Sequence, residues 1–267
     1  MELRRRSMTL VAVALCISYL AFSGPPRSDG ETGADAGDPR EHAPRATRLA
    51  QRLRPLPQAI AALQMSATRP AKLRPAELHR TTGGPGVALT FDDGPDPYWT
   101  PRFLELLRRY RVKATFCVLG YRAGAYPELV RQIVREGHTL CNHTMRHDLH
   151  LRERSPQHVA ADLQQANALI AAASGVTPRY FRAPGGNWSP MIVATARQLG
   201  MAPLHWAVDP QDWRRPPPYR IVLNVRKNTR PGSIVLLHDG GGDRAGTYTA
   251  LVQLLPELRR RFKLVPL

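Results

Sequence analysis

From Gly86 onward the chain alternates short apolar runs with amphipathic stretches, and this alternation confines it to few folds. Residues 87–91, 114–119, 138–141, 180–181, 203–208, 234–237 and 264–267 read as strands, because each is short, apolar and bounded by turn residues. Between them lie segments with helical spacing. Phe103, Leu106, Leu107 and Tyr110 mark one face of the first, and residues 127–136, 156–173, 190–199, 219–228 and 249–261 follow. Strands that alternate with helices pair in parallel, and seven such units suit a closed or nearly closed barrel better than an open sheet. The expected class is therefore α/β, a (β/α) barrel with about seven parallel strands.

The polar clusters all fall where strands end. Asp92 and Asp93 follow the first strand, His143 and His147 the third, Arg182 the fourth, Asp209, Asp212 and Trp213 the fifth, and His238 and Asp239 the sixth. In a parallel barrel those exits share one rim, where such folds carry their chemistry. His143 and His147 are four residues apart, a spacing that lets both imidazoles reach one ion from a single helical turn. A His-x-x-x-His pair alone is more often structural. With Asp93 on the same rim it makes a two-histidine, one-carboxylate set for a divalent ion, zinc first, with cobalt, nickel or manganese as alternatives. Such an ion keeps positions open for water and substrate. Asp92 is then the base for the water, His238 the acid for the leaving group, Arg182 the partner of the base and Asp212 the partner of the acid. Gly185 and Gly186 let a backbone N–H approach the reacting carbonyl.

Five blocks in order carry a resemblance that covers residues 84–267. Thr90-Phe91-Asp92-Asp93-Gly94-Pro95, His143-Thr144-Met145-Arg146-His147, Arg182-Ala183-Pro184-Gly185-Gly186, Asp209-Pro210-Gln211-Asp212-Trp213 and Ile234-Val235-Leu236-Leu237-His238 resemble the five motifs of the polysaccharide deacetylases, carbohydrate esterase family 4. The resemblance implies a distorted (β/α) barrel and metal-dependent removal of acetyl groups from carbohydrate. It implies Asp92 as base, Asp93, His143 and His147 as metal ligands, Asp212 orienting the acid His238, and Trp213 and Leu236 as walls of an acetyl pocket. Tyrosine is frequent in the family where Gly185 stands. Because that position acts through its amide, the oxyanion contact is expected to survive while the groove wall changes. Trp188 either stacks on a sugar or covers the core, and His138 is expected to pack within the barrel.

The implied substrate is an N-acetylglucosamine polymer of peptidoglycan or chitin type, with an O-acetyl esterase acting on xylan or another acetylated glycan as the close alternative. A non-haem iron oxygenase would use the same ligand trio but leaves Asp92 and His238 without a task. A carbohydrate-binding module without turnover has no need of the acid and base.

The remaining features concern location and partners. Arg4, Arg5 and Arg6 precede an uncharged stretch over residues 7–22, which reads as an export signal over residues 1–23, cleaved or kept as an anchor. Residues 24–80 read as a Pro-, Ala- and Arg-rich arm, and residues 81–267 as the catalytic domain. An exported, periplasmic, cell-envelope or secreted monomer follows, with membrane association only through the N-terminal segment. The net charge of +17 favours anionic partners, and no zinc-finger spacing or long basic helix points to nucleic acid. Cys117 and Cys141 fall in two strands. They are expected as buried thiols, since neighbouring strands rarely offer disulfide geometry.

Overall fold

The protein is described by a computed structural model, in which residues 77–267 are described. The expected export signal and most of the arm lie outside the described residues. Six strands form one parallel sheet: β1 (Ala88–Asp92), β2 (Thr115–Val118), β3 (Thr139–Asn142), β4 (Tyr180–Phe181), β5 (Ala202–Pro203) and β6 (Ile234–His238). Their spatial order is β5-β4-β3-β2-β1-β6. The intervening helices are α1 (Trp99–Arg109), α2 (Gly120–Ala125), α3 (Pro127–Arg135), α4 (Pro156–Ser174), α5 (Pro190–Gln198), α6 (Pro218–Asn228) and α7 (Ala245–Arg261). Four of them, α3 to α6, start on proline, whose fixed φ suits the first turn and whose missing N–H costs nothing there. Ser155 and Ser189 cap α4 and α5 by accepting from the N–H groups of His158 and Ile192.

Period-two alternation assigns the two faces of each strand. On β1, Leu89 and Phe91 join the cluster beneath the helices, where Phe91 lies 5.3 Å from Phe103 and 5.1 Å from Phe116 between ring centres. Ala88, Thr90 and Asp92 form the opposite face, inside the curl, and Cys117, Cys141 and Ile234 share that interior with Ala88. Parallel pairing then sets the rows. Asp92 is the register partner of both Cys117 on β2 and His238 on β6, and Cys117 of Cys141 on β3.

Three expectations change. The barrel is a curled sheet of six parallel strands, because the seventh strand shrinks to a single bridge between Leu264 and Val87, and Pro266 can donate nothing to extend it. The expected fifth strand is split: Ala202–Pro203 pairs with β4, whereas Val208 bridges Val235 on β6, with the Leu236 N–H donating to its carbonyl at 2.9 Å. Cys117 and Cys141 form a disulfide, since opposed register and a shared inward face bring their Cα atoms to 4.1 Å. The short helix α2 carries no apolar periodicity that marks it in the sequence. Among the described residues no helix is long and apolar enough to cross a membrane.

Phe91 is fully buried between two aromatic rings. Phe91→Ala should lower unfolding free energy by about 3–5 kcal/mol, read as a shifted urea midpoint with an unchanged slope.

Candidate active site

Asp93 leaves β1 with φ 73°, a left-handed conformation that aspartate tolerates better than most residues, and the cis Gly94–Pro95 bond follows. The histidine loop is not helical, which corrects the expectation of a single helical turn: Thr144 and His147 have φ of 70° and 60°. Polar anchors shape the loop instead. The Thr144 N–H donates to Asn142 Oδ1 at 2.8 Å, the Met145 N–H to Asp162 Oδ1 at 2.8 Å, and the His147 N–H to Thr144 Oγ1 at 2.9 Å. Asp162 sits on α4, so its part in the loop was not visible in the local sequence.

The structure brings Asp93, His143 and His147 together. Asp93 Oδ1 is 3.5 Å from His143 Nε2 and 3.4 Å from His147 Nε2, and one ligand atom from each residue lies within 4.8 Å of the others. Donors about 2.0–2.1 Å from a tetrahedral ion stand roughly 3.3 Å apart, so the observed spacing fits a zinc-like ion. Two further observations agree. Asp93 Oδ1 is buried without a hydrogen-bond partner. His143 Nδ1 donates to the Arg182 carbonyl at 2.8 Å, which leaves the Nε2 lone pair free for a metal.

The electrostatics favour positive charge at that point. Burial works against ionisation of Asp93, but the imidazole of His143 beside it, with the charges of His238 and His147, wins and holds its pKa well below the usual carboxylate range. Burial likewise opposes a charged His143, and Asp92 and Asp93 override it to raise its pKa. His147 moves down, from burial and the neighbouring His143.

Asp92 and His238 face each other across one register row. Arg182, fully buried, donates from Nη1 to Asp92 Oδ1 at 2.7 Å and to Thr90 Oγ1 at 2.9 Å, and from Nη2 to the His205 carbonyl at 3.2 Å. Asp92 Oδ2 stands 3.6 Å from His143 Nε2, on the metal side. On β6, His238 Nδ1 lies 2.7 Å from Asp212 Oδ1, while Asp212 Oδ2 accepts from the His238 N–H and from Thr247 Oγ1, both at 2.9 Å. Burial alone would lower the His238 pKa. The charge and hydrogen bond of Asp212, helped by Asp92 and Asp93, raise it to about 9.

A cavity of about 410 Å³ opens onto this group, lined among others by Asp92, Asp93, His143, His147 and His238. Gly185, Asp209, Trp213 and Leu236 line it too. Leu149, Trp206 and Arg244 also line it, although no motif pointed to them. Leu149 occupies the wall where a Cβ on Gly185 would fall 3.1 Å from its Cδ2, so this wall is built from the histidine loop rather than from position 185. Trp188 is absent from the lining. It packs edge-on against Phe181, 5.5 Å between ring centres, and covers the second core cluster, the alternative to sugar stacking. His138 packs in the sheet as expected, its Nδ1 accepting from the Ala114 N–H.

The sequence matches the polysaccharide deacetylase family over residues 79–204. It is 44% identical over 199 residues to a chitooligosaccharide deacetylase of Bradyrhizobium sp. (strain ANU 289), covering 70% of this chain and 90% of that one. The chain belongs to the polysaccharide deacetylase family, carbohydrate esterase family 4. A peptidoglycan-N-acetylglucosamine deacetylase of Bacillus cereus is 42% identical over 177 residues, covering 66% of this chain and 82% of the relative. Among solved structures, the Bc1960 peptidoglycan N-acetylglucosamine deacetylase superposes with a TM-score of 0.68 at 32% identity, covering 71% of this chain and 89% of that one. A pseudoenzyme of this family from Bacillus anthracis superposes with a TM-score of 0.66 at 29% identity, covering 72% and 67%.

Calorimetric titration with zinc should show one tight site in this deacetylase, and Asp93→Ala or His143→Ala should remove it. Gly240→Ala should weaken the same site with all three ligands intact, because a Cβ there would come within 2.2 Å of the Asp93 carbonyl oxygen and push the ligand away.

Proposed function

We propose that the protein removes N-acetyl groups from N-acetylglucosamine units of a polysaccharide of peptidoglycan or chitin type. The observation that carries this reading is the placement of Asp92 and His238 as opposed neighbours on β1 and β6, beside the convergent Asp93, His143 and His147. A divalent ion held by those three residues supplies Lewis acidity and lowers the pKa of water.

The chain's own groups do the rest. Arg182 fixes one oxygen of Asp92 and leaves Oδ2 on the metal side, from which Asp92 accepts the proton of the attacking water. Leu236 and Trp213 form the walls against which the acetyl methyl rests. The Gly185 N–H is the backbone donor toward the developing oxyanion. His238 carries its proton on Nε2, since Nδ1 is committed to Asp212, and gives it to the departing amine as the carbon–nitrogen bond breaks. The same Asp92–His238 pair would cleave an ester, so amide and ester substrates are compared in the test. For the finer architecture we read the curled sheet, bridged from Val208 to Val235, as a distorted member of the barrel class in which the seventh strand is vestigial.

Purified protein should release acetate from N-acetylglucosamine oligomers, lose this activity with a chelator and regain it with added zinc; release from acetylated xylan alone would sink the N-deacetylase assignment. Asp92→Asn should lower kcat by about 10²–10⁴-fold with metal still bound. A histidine acid is present only below its pKa. Activity should therefore fall as pH rises through about 9, and Asp212→Asn, which removes the main force holding the proton, should bring that alkaline limb down by at least about one unit.

A further inference from the structure

The turn after β5 carries charge that the proposed chemistry does not use. Asp212–Arg214 forms a short 3-10 turn bracketed by Gln211 and Arg215, both left-handed with φ of 56°. Glycine would hold position 215 with less strain, yet an arginine stands there. Its guanidinium lies over Gly242 in the loop that follows His238 and Asp239, so close that a Cβ on Gly242 would fall 2.3 Å from Arg215 Nη2. Next to it, the Arg214 guanidinium sits 4.7 Å from the ring centre of Trp213, which lines the cavity and is 45% exposed. Arg146, between the two histidine ligands, is also exposed on a loop that lines the cavity.

None of these three arginines makes a salt bridge among the described residues, which they share with exposed arginines such as Arg109, Arg111 and Arg135; what sets Arg214 and Arg215 apart is their place beside Trp213 on the cavity wall. Neither neighbouring acid closes an ion pair with them: Asp209 feels the charge of Arg214 but accepts its hydrogen bond from the Gln211 N–H, and Asp243 accepts from the Ala245 N–H at the start of α7. Unpaired guanidinium groups beside a sugar-sized cavity match carboxylates, which accept the planar fork in two parallel hydrogen bonds.

We propose that Arg214 and Arg215 form a subsite for carboxylates on the sugar chain next to the unit being deacetylated, so that the preferred polymer is an anionic peptidoglycan strand with muramyl and peptide carboxylates rather than a neutral chitin-type chain. This rests on the N-deacetylase reading for its catalytic readout. The subsite acts through KM, because it holds the polymer and touches no reacting atom. It weakens as salt shortens the screening length, from about 30 Å at 0.01 M to about 8 Å at 0.15 M.

The test uses the full chain with zinc and three substrates: soluble peptidoglycan strands, the same strands with their carboxylates amidated, and neutral N-acetylglucosamine oligomers. The Arg214→Gln/Arg215→Asn double variant should raise KM on native strands about tenfold with kcat retained, leave the amidated strands and neutral oligomers within about twofold, and abolish the salt dependence seen with native strands. An Arg214→Lys/Arg215→Lys variant should recover at least half of the lost affinity, which separates charge recognition from a misfolded turn. Equal losses on all three substrates, or a KM on native strands that ignores both amidation and salt, would overturn the subsite. Should the wild-type protein release no acetate from any substrate, the deacetylase reading fails separately. Equilibrium binding of fluorescent native and amidated strands then still decides the subsite, with equal affinity for the two refuting it.

Discussion

One buried arginine ties the site to the sheet. Arg182 enters the interior of the curl at the end of β4, donates to Asp92, Thr90 and the His205 carbonyl, and offers its own carbonyl to His143. Its N–H donates to the Asn142 carbonyl at the end of β3. A guanidinium taken fully out of water is costly unless paired and hydrogen-bonded, and removal of one partner leaves the other charge stranded. The position of Asp92, the tautomer of His143 and the alignment of β3 with β4 therefore depend on the same residue, the first through its side chain and the other two through its backbone. Trp206, 5.7 Å from the guanidinium carbon, closes the space beside it and lines the cavity with its other contacts.

Around that anchor the backbone is bent into conformations that side chains disfavour. Asp93, Thr144, His147, Gln211 and Arg215 are all left-handed, and each belongs to a loop that lines the cavity. Such residues persist where the surroundings over-determine them. Here the surroundings are specific: Asn142 and Asp162 hold the histidine loop, and the glycines after Asp239 leave room against Asp93. The left-handed turns at Thr144 and His147 shape the loop that brings both histidines to one point beside Asp93.

A pseudoenzyme with the same fold underlines that the sheet alone does not secure turnover. In this chain Asp92 and His238 occupy the same row, so a slip of one residue between β1 and β6 would turn one of them out of the interior.

The sequence by itself determined the class of fold and most of the chemistry. Short apolar runs that alternate with amphipathic helical stretches bury as parallel strands under helices, and their exits then share a rim, so the gathering of Asp92, Asp93, His143, His147, Arg182, Asp212 and His238 on that rim is legible from spacing and residue type. Tertiary structure decided what depends on partners distant along the chain. The disulfide follows from register between β2 and β3, and the reduction of the seventh strand to one bridge follows from β1 being already paired with β2 and β6 on its two sides. The left-handed histidine loop follows from an aspartate on α4, and the walls Leu149, Trp206 and Arg244 from the curl of the sheet. Local patterning records which face of an element is apolar; it carries no record of which remote side chain arrives to satisfy a backbone N–H or to fill a wall, because those contacts exist only once the sheet has curled.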